Sequence, residues 1–263
     1  MEKLSVIKIG GKVIDDPGEL HSFLGKFAAI PDRKILVHGG GKQIDRLSRE
    51  LAVEVKMTEG RRITDTDSLR VVQMVLAGML NKNIVSQLQA TGCNAVGLTG
   101  ADGNSIVAVK RPVKNGIDYG WVGDIEKVND VLIDNLLNIG LVPVFASLTH
   151  NRDGRILNTN ADTVAAEVAA AMTSRYDVDL VYCFDRPGVM RDLDDPGSVI
   201  PEITPVDYDA LKSSETISTG MLPKIENALF ALNRNIARVI LMKSTNLDEY
   251  IDGKIIHGTI INK

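Results

Sequence analysis

Short β-branched apolar runs alternate with amphipathic segments along the whole chain of 263 residues. This alternation is the feature that most limits the possible folds, because it is typical of a parallel sheet covered by helices. Each run is also too short to cross a bilayer. The predicted strands are residues 3–9, 33–38, 94–99, 141–147, 178–184 and 237–242. The sequence therefore predicts an α/β protein.

Amphipathic and alanine-rich segments predict the helices between these strands. They cover residues 19–28, 42–51, 66–89, 129–137, 160–172 and 223–233. Two stretches differ, because residues 107–125 and 148–158 mix Gly, Asn and Asp with isolated β-branched residues, as hairpins do. We expect these hairpins to lie outside the main sheet and to form walls of a site. With no long linker, any domain boundary should be a tight one near residues 173–177.

Composition excludes several classes of protein. The chain has 30 Lys and Arg against 34 Asp and Glu, a net charge of −4, which leaves no overall basic field for nucleic acid. Its 44% of hydrophobic residues are too many for a disordered chain. Cys93 and Cys183 form neither a disulfide framework nor a metal-site pattern, and the first residues do not resemble a signal peptide. We therefore expect a cytoplasmic protein without nucleic-acid or membrane partners.

Two glycine clusters each follow a predicted strand and precede a predicted helix. They are KIGGK at residues 8–12 and HGGGK at residues 38–42. Glycine lets the backbone approach a ligand, and N–H groups at a helix start bind anions. One such cluster is usually only a tight turn, but two at the carboxyl edge of one parallel sheet favour an anion-binding crevice. Neither a P-loop nor the dinucleotide fingerprint occurs in the chain, and the esterase motif G-x-S-x-G is also absent.

Three further polar motifs are ordinary when taken singly. GRRIT at residues 60–64 contributes Arg61 and Arg62, and LNTNAD at residues 157–162 contributes Asn158, Asn160 and Asp162. STGMLPK at residues 218–224 ends in a lysine. An isolated arginine is usually a solvated surface charge, and an Asn before a helix is usually an N-cap.

Together, KIGG, HGGGK, GRRITD, LNTNAD and TGMLPK, in this order over nearly the whole chain, resemble the amino acid kinase family. The resemblance implies an open αβα sandwich with a mainly parallel central sheet. It also implies an acyl-amino-acid-binding and dimerisation domain over residues 1–174 and a nucleotide-binding domain over residues 175–263. The implied reaction is ATP-dependent phosphorylation of the γ-carboxylate of N-acetyl-L-glutamate to the acyl phosphate, a step of arginine biosynthesis.

The family's functional residues can be carried onto this sequence position by position. The resemblance implies that Lys8 and Lys224 stabilise the transferred phosphoryl group and that Asp162 holds both lysines. The remaining implied contacts are phosphate binding by Gly10, Gly11 and Gly40, substrate binding by Gly40, Gly41, Arg62 and Asn158, and nucleotide binding by Asp185, Gly188 and Lys224. Arg186 is unusual for the family at the position after Asp185, and the local nucleotide contacts stay open there.

The reaction implied here does not need a general base. A glutamate-type carboxylate has a pKa of about 4.3, so the nucleophile is already ionised at neutral pH. The barrier lies in bringing two anions together and in stabilising charge on the phosphoryl oxygens, which cations and amides can do. We therefore expect His38 to be a packed or hydrogen-bonding residue. Mg²⁺ should arrive on the nucleotide phosphates, since the sequence has no dedicated carboxylate cage and predicts no protein metal site.

Two alternatives to this function stay open at the level of sequence. The substrate could be N-succinyl-L-glutamate, whose extra carboxylate would need a cation such as Arg61, Lys110 or Arg111. The chain could instead be an inactive ligand-binding relative. Because the first strand begins two residues after Met1, without the N-terminal helix of arginine-inhibited relatives, we expect an arginine-insensitive homodimer paired through residues 66–80.

Overall fold

The computed structural model describes residues 1–58, 60–192, 194–213, 222–253 and 257–262. The strands within these ranges are β1 (Lys3–Ile9), β2 (Arg33–His38), β3 (Lys56–Thr58), β4 (Arg61–Ile63), β5 (Ala95–Leu98), β6 (Ile106–Lys110), β7 (Gly123–Val128), β8 (Val142–Ala146), β9 (Leu148–His150), β10 (Ile156–Asn158), β11 (Asp177–Phe184), β12 (Glu202–Ile203), β13 (Arg238–Lys243) and β14 (Gly258–Ile261).

The helices of the same ranges are α1 (Gly11–Asp15), α2 (Pro17–Ala28), α3 (Gly41–Glu50), α4 (Thr66–Gln73), α5 (Asn81–Ala90), α6 (Asp130–Asn138), α7 (Ala161–Met172), α8 (Pro205–Ser213), α9 (Leu222–Leu232) and α10 (Leu247–Ile251). A π-helical segment, Met74–Leu80, joins α4 to α5. None of the helices in the described part of the chain is long and apolar enough to span a membrane.

The predicted α/β class with a mainly parallel sheet is confirmed. All six predicted strands are present, and β1 and β2 have the predicted bounds. Each predicted helix is also present, although the predicted helix over residues 66–89 is divided by the π-helical segment. The prediction missed the short helices α1, α8 and α10 and the short strands β3, β4, β12 and β14.

The chain forms two compact units. Unit 1 contains residues 1–36 and 165–263, and unit 2 contains residues 37–164. The predicted functional division into residues 1–174 and 175–263 concerns ligands and stays a prediction.

Unit 1 is built on a sheet with the strand order β12-β14-β13-β11-β1. β11 pairs in parallel with β1 on one side and with β13 on the other, while β14 is antiparallel to β13. Leu180, Val181 and the other central residues of β11 are buried, as expected of a strand covered on both faces. Because β1 and β11 run in the same direction, their carboxyl ends and the turns that follow them lie at one edge of this sheet.

Unit 2 has a parallel pair, β5 and β8, and a separate sheet with the order β10-β9-β6-β7. The separate sheet comes from residues 106–128 and 148–158, which include both predicted stretches, so the predicted hairpins outside the main sheet are confirmed. β3 and β4 form a further antiparallel hairpin. It carries the two arginines of the GRRIT motif.

Polar side chains define where several helices begin. The Asp16 carboxylate accepts hydrogen bonds from the Gly18 and Glu19 N–H groups at 2.8 and 3.0 Å, and Pro17 occupies the first position of α2. At α7, Asn160 Oδ1 accepts the N–H groups of Asp162 and Thr163 at 2.8 and 3.1 Å. These caps satisfy N–H groups that a helix cannot pair internally. The interpretation of an Asn before a helix as an N-cap is therefore confirmed for Asn160 of the LNTNAD motif.

Candidate active site

The KIGGK turn of unit 1 passes close to the end of the neighbouring strand. Lys8, half-buried, lies opposite Tyr182 in the parallel register of β1 and β11. The Gly10 N–H donates to the Cys183 carbonyl at 2.9 Å, and a Cβ on Gly10 would lie 3.4 Å from that oxygen. Gly11, which begins α1, has open space where a side chain would stand. The turn is thus held to β11 at Gly10 and accessible at Gly11.

Asp185 is the first residue after β11, and Lys12 of the glycine turn pairs with it. Lys12 Nζ donates to Asp185 Oδ2. Burial alone would raise the pKa of the Asp185 carboxyl, but the hydrogen bond from Lys12 and the nearby charges of Lys12 and Arg186 hold this pKa below its usual value. Two predicted site motifs, KIGGK and the turn at Asp185, are therefore joined by one ion pair.

Gly188 occupies a packed position. A Cβ there would lie 2.7 Å from Thr259 Oγ1 and 3.1 Å from the Gly258 carbonyl carbon, so a larger residue has no room. The neighbouring Val189 N–H donates to Thr259 Oγ1 at 2.8 Å. This close packing against β14 explains why residue 188 is a glycine. The predicted contact of Gly188 with nucleotide stays a prediction.

Lys224 lies in the first turn of α9. Its side chain is outside the part of the chain that the structure describes, as are residues 218–221 of the STGMLPK motif. Its predicted catalytic and nucleotide-binding roles stay predictions.

The HGGGK turn of unit 2 is shaped by the π-helical segment. A Cβ on Gly40 would lie 2.3 Å from Leu80 Cδ1 and 2.9 Å from Leu76 Cδ2, and both leucines are buried. Gly41, the first residue of α3, is exposed with open space beside it. π-helical segments are rare and occur often at functional sites. Here Leu76 and Leu80 of the segment pack against Gly40, while the start of α3 at Gly41 is accessible.

His38 anchors the same turn from inside the core. Its Nδ1 donates to the Gly39 carbonyl at 3.0 Å, and its Nε2 accepts from Asn81 Nδ2 at 3.1 Å. Asn81 Nδ2 also donates to the Val144 carbonyl at 2.9 Å. Burial lowers the pKa of His38 to about 4, against a smaller effect of the Gly39 carbonyl, so the imidazole is neutral at pH 7. The prediction that His38 packs and hydrogen-bonds is confirmed.

Arg62 reaches from β4 to the start of α3. Its Nη2 donates to the Asp45 carboxylate and lies 3.5 Å from the Gly41 carbonyl oxygen. The side chain is only 11% exposed, and Asp45 is one turn along the helix from Gly41. Both contacts use the same nitrogen of a guanidinium that has five N–H donors in total. The structure thus brings Arg62, Gly40 and Gly41 together in unit 2.

Asn158 lies on the hairpin sheet of the same unit. Its Nδ2 donates to Thr64 Oγ1 at 3.0 Å, which ties β10 to the end of the GRRIT motif. Its N–H donates to the Trp121 carbonyl at 2.9 Å, and the Trp121 N–H donates to the Thr64 carbonyl at 2.7 Å. Trp121 therefore joins two predicted site motifs through its main chain.

Asp162 is the second residue of α7 and part-buried. A Cβ on Gly39 would lie 3.5 Å from Ala161 Cβ, so the HGGGK turn and the start of α7 are neighbours within unit 2. The predicted holding of Lys8 and Lys224 by Asp162 stays a prediction.

Sequence reasoning did not single out Lys12, Asp45, Asn81 or Trp121. Lys12 had one available signal, because it ends the KIGGK motif. Asp45 and Asn81 had none, since their partners are separated from them by 17 and 43 residues. Such pairs become visible only when the fold brings the segments together.

Comparison with known proteins identifies the family of the chain. A family model described as the amino acid kinase family matches residues 3–243. An acetylglutamate kinase of Cytophaga hutchinsonii is 50% identical over 98% of both chains, and one of Phocaeicola vulgatus is 49% identical over 100% of this chain and 99% of the relative. The crystal structure of smu.665 from Streptococcus mutans UA159 is 28% identical, with a TM-score of 0.79 over 98% of both chains. The chain belongs to the amino acid kinase family.

Proposed function

We propose that this chain phosphorylates the γ-carboxylate of N-acetyl-L-glutamate with ATP, as a step of arginine biosynthesis. A carboxylate oxygen forms a bond to the γ-phosphorus, the bond from this phosphorus to the β–γ bridging oxygen breaks, and ADP leaves. The observation that carries the proposal is the placement of the Arg62 guanidinium beside Gly41 at the accessible start of α3. The near-50% identity over almost the full length to relatives named acetylglutamate kinase supports it.

The substrate end of the reaction follows from unit 2. A guanidinium binds a carboxylate through two parallel hydrogen bonds, and Asp45 fixes its orientation without using all its donors. The N-terminus of α3, a helix of 10 residues, adds backbone N–H groups and a positive dipole end. We propose that Arg62 binds a substrate carboxylate, with Asn158, Gly40 and Gly41 as further contacts. No side chain near this turn needs to act as a base.

The phosphoryl end of the reaction needs cations and amides. We propose that Lys8 and Lys224 stabilise charge on the transferred phosphoryl group, that Gly10 and Gly11 bind phosphate, and that Asp162 orients the lysines. Asp185 and Gly188 are proposed nucleotide contacts. Mg²⁺ would be carried by the ATP phosphates, where it keeps most of its hydration shell.

The acetyl substrate is favoured over the succinyl one by the relatives named acetylglutamate kinase and by the contacts of one candidate cation, Arg111. Arg111 donates to Asp124 Oδ1 from Nε and Nη2 at 2.9 and 2.6 Å. Lys110 Nζ lies 3.5 Å from Asp118 Oδ2 and 5.4 Å from the centre of the Trp121 ring. Arg111 thus uses two nitrogens on its carboxylate, whereas Arg62 uses only Nη2 on Asp45, which leaves Arg111 fewer donors for an extra substrate carboxylate.

The decisive assay compares ADP release from Mg·ATP with N-acetyl- and N-succinyl-L-glutamate. We expect a higher kcat/KM for the acetyl substrate. A higher kcat/KM for the succinyl substrate would contradict the acyl-group proposal while leaving the reaction type in place. No ADP release with either substrate would contradict the kinase proposal and favour a ligand-binding relative.

We also propose a homodimer in the cytoplasm. Met74 and Met79 lie on the exposed side of the π-helical segment, where they are 47% and 45% exposed, and these apolar side chains fit a subunit contact. Cys93 and Cys183 are both buried free thiols, consistent with a reducing compartment. Light scattering should give twice the mass of one chain. A monomer or a hexamer would contradict the dimer.

A further inference from the structure

The pair of Lys12 and Asp185 joins the turns that follow β1 and β11. Lys12 is the second residue of α1, and Asp185 directly follows β11. The two strands are adjacent and parallel, with Ile9 opposite Cys183 at their ends. The pair therefore lies across the carboxyl edge of the sheet in unit 1, which is where sheets of this class bind their ligands.

Exposure distinguishes this pair from the part-buried pair of Asp179 and Arg238 in the same unit. The Lys12 side chain is 61% exposed and that of Asp185 is 35% exposed. In contrast, Asp179 near the start of β11 is buried and receives two hydrogen bonds from Arg238 at 2.9 and 2.5 Å. Exposed pairs contribute little to stability. The pair of Lys12 and Asp185 therefore contributes little to the stability of the fold. Because the Lys12 side chain is exposed to solvent, the pair is accessible to a ligand.

The charge of Asp185 would oppose a nucleotide if it stood alone. Its pKa is held below the usual value, so the carboxylate is ionised at neutral pH. The phosphates of a nucleotide are also anionic, and a carboxylate at the same sheet edge would repel them. Lys12 places a positive charge directly on this carboxylate. The positive charge of Lys12 and the negative charge of Asp185 therefore cancel each other at this edge of the sheet.

We propose that Lys12 is a positioning residue for the nucleotide, which neutralises Asp185 and holds the turn after β11 at the phosphate-binding edge. This inference rests on the proposed function, because it assumes that an anionic nucleotide binds at this edge. Lys12 acts through Asp185, so its contribution should depend on the charge at residue 185. That dependence separates it from a lysine that contacts phosphate by itself.

The test is a double-mutant cycle with calorimetric binding of Mg·ADP. Lys12→Met should weaken binding about tenfold, the size of a coupling between two residues in contact, because it leaves the Asp185 carboxylate unpaired and frees the turn after β11. Lys12→Arg keeps the charge and should stay within about threefold of the wild type. In an Asp185→Asn background, Lys12→Met should weaken binding less than about twofold. Lys26→Met, which removes a lysine paired with Asp248 elsewhere in unit 1, is the matched control and should leave binding unchanged.

Three results would overturn the inference. One is Lys12→Met binding Mg·ADP as the wild type does, and another is an equal loss in both backgrounds. A wild-type chain that does not bind Mg·ADP would overturn it as well. A wild-type chain that binds Mg·ADP in the predicted pattern but phosphorylates no N-acyl-glutamate would instead contradict only the proposed function. Kinetics give a second readout, since Lys12→Met should raise KM for ATP and leave KM for the acyl substrate unchanged.

Discussion

Mild acid should destabilise the protein through His38. The native imidazole is fully buried and has a pKa of about 4, because burial disfavours its charged form, whereas an unfolded chain has the ordinary value of 6.5. Between these two values the unfolded chain binds a proton that the native protein does not bind. Stability therefore rises with pH across this window, is fully present above about pH 7, and is lost as the pH falls.

The size of this loss follows from the two pKa values. At pH 5, proton binding to His38 increases the statistical weight of the unfolded state by a factor of about 33. It increases the weight of the native state by a factor of only about 1.1. The ratio of about 30 corresponds to about 2 kcal/mol, against less than about 0.1 kcal/mol at pH 7.5. Protonation would also abolish the bond from Asn81, because Nε2 would become a donor facing a donor.

Urea unfolding at pH 7.5 and pH 5.0 measures this effect. His38→Gln removes the titrating group, so the difference in unfolding free energy between wild type and variant should shrink by about 2 kcal/mol at the lower pH. His21→Gln, which changes an exposed histidine, should keep the full acid loss of the wild type. His38→Asn serves if the glutamine variant does not fold. An acid loss of equal size in the His38 variants and the wild type would show that protonation of His38 does not cause the loss.

Three further predictions concern single side chains. Arg62→Lys should raise KM for the acyl substrate about tenfold and leave KM for ATP unchanged in steady-state kinetics, because an ammonium cannot form two parallel bonds to a carboxylate; equal changes in both KM values would contradict this. Gly40→Ala should cost about 1–3 kcal/mol in urea unfolding and reduce activity, since its Cβ would meet buried Leu80, whereas Gly41→Ala, with open space, should cost less. Cys183, whose pKa burial raises to about 12 against the opposing charge of Lys8, should resist iodoacetamide at pH 8 until the protein unfolds; rapid labelling of the native protein would contradict that assignment.

Much of the fold could be predicted because the deciding signals are local. The apolar runs of β1 and β2 are bounded by charged or glycine residues, and both strands begin and end where predicted. The two glycine clusters also lie where a strand changes into a helix, at Gly11 and Gly41. In these segments, periodicity and turn chemistry agree with the tertiary structure.

The π-helical segment Met74–Leu80 could not be predicted in this way. Its residues suit an ordinary α-helix, and local propensity gives no reason for a wider turn. The arrangement is understandable only from the tertiary structure, in which Leu76 and Leu80 pack against Gly40. The strands β12 and β14 were missed for a similar reason, since both are short and gain their structure from pairing at the end of the sheet.

The candidate site shows the same division between local and distant information. The motif residues Gly40, Gly41 and Arg62 were predicted, and the structure brings them together. The ion pairs around the site were not predicted. Asp45 is 17 residues from its partner Arg62, and Asp185 is 173 residues from its partner Lys12. A single sequence carries no local signal for pairs so far apart in the chain.

We propose that this chain transfers a phosphoryl group from ATP to an acyl-glutamate carboxylate, and that cations and amides stabilise the charge on the transferred group. Trapping of the acyl phosphate with hydroxylamine tests it most directly, with Mg·ATP and N-acetyl-L-glutamate as substrates. We predict hydroxamate formation by the wild type and a rate about 10²–10³-fold lower for Lys8→Met, as for loss of a transition-state donor. No hydroxamate from the wild type, or a near-normal rate from Lys8→Met, would contradict the account.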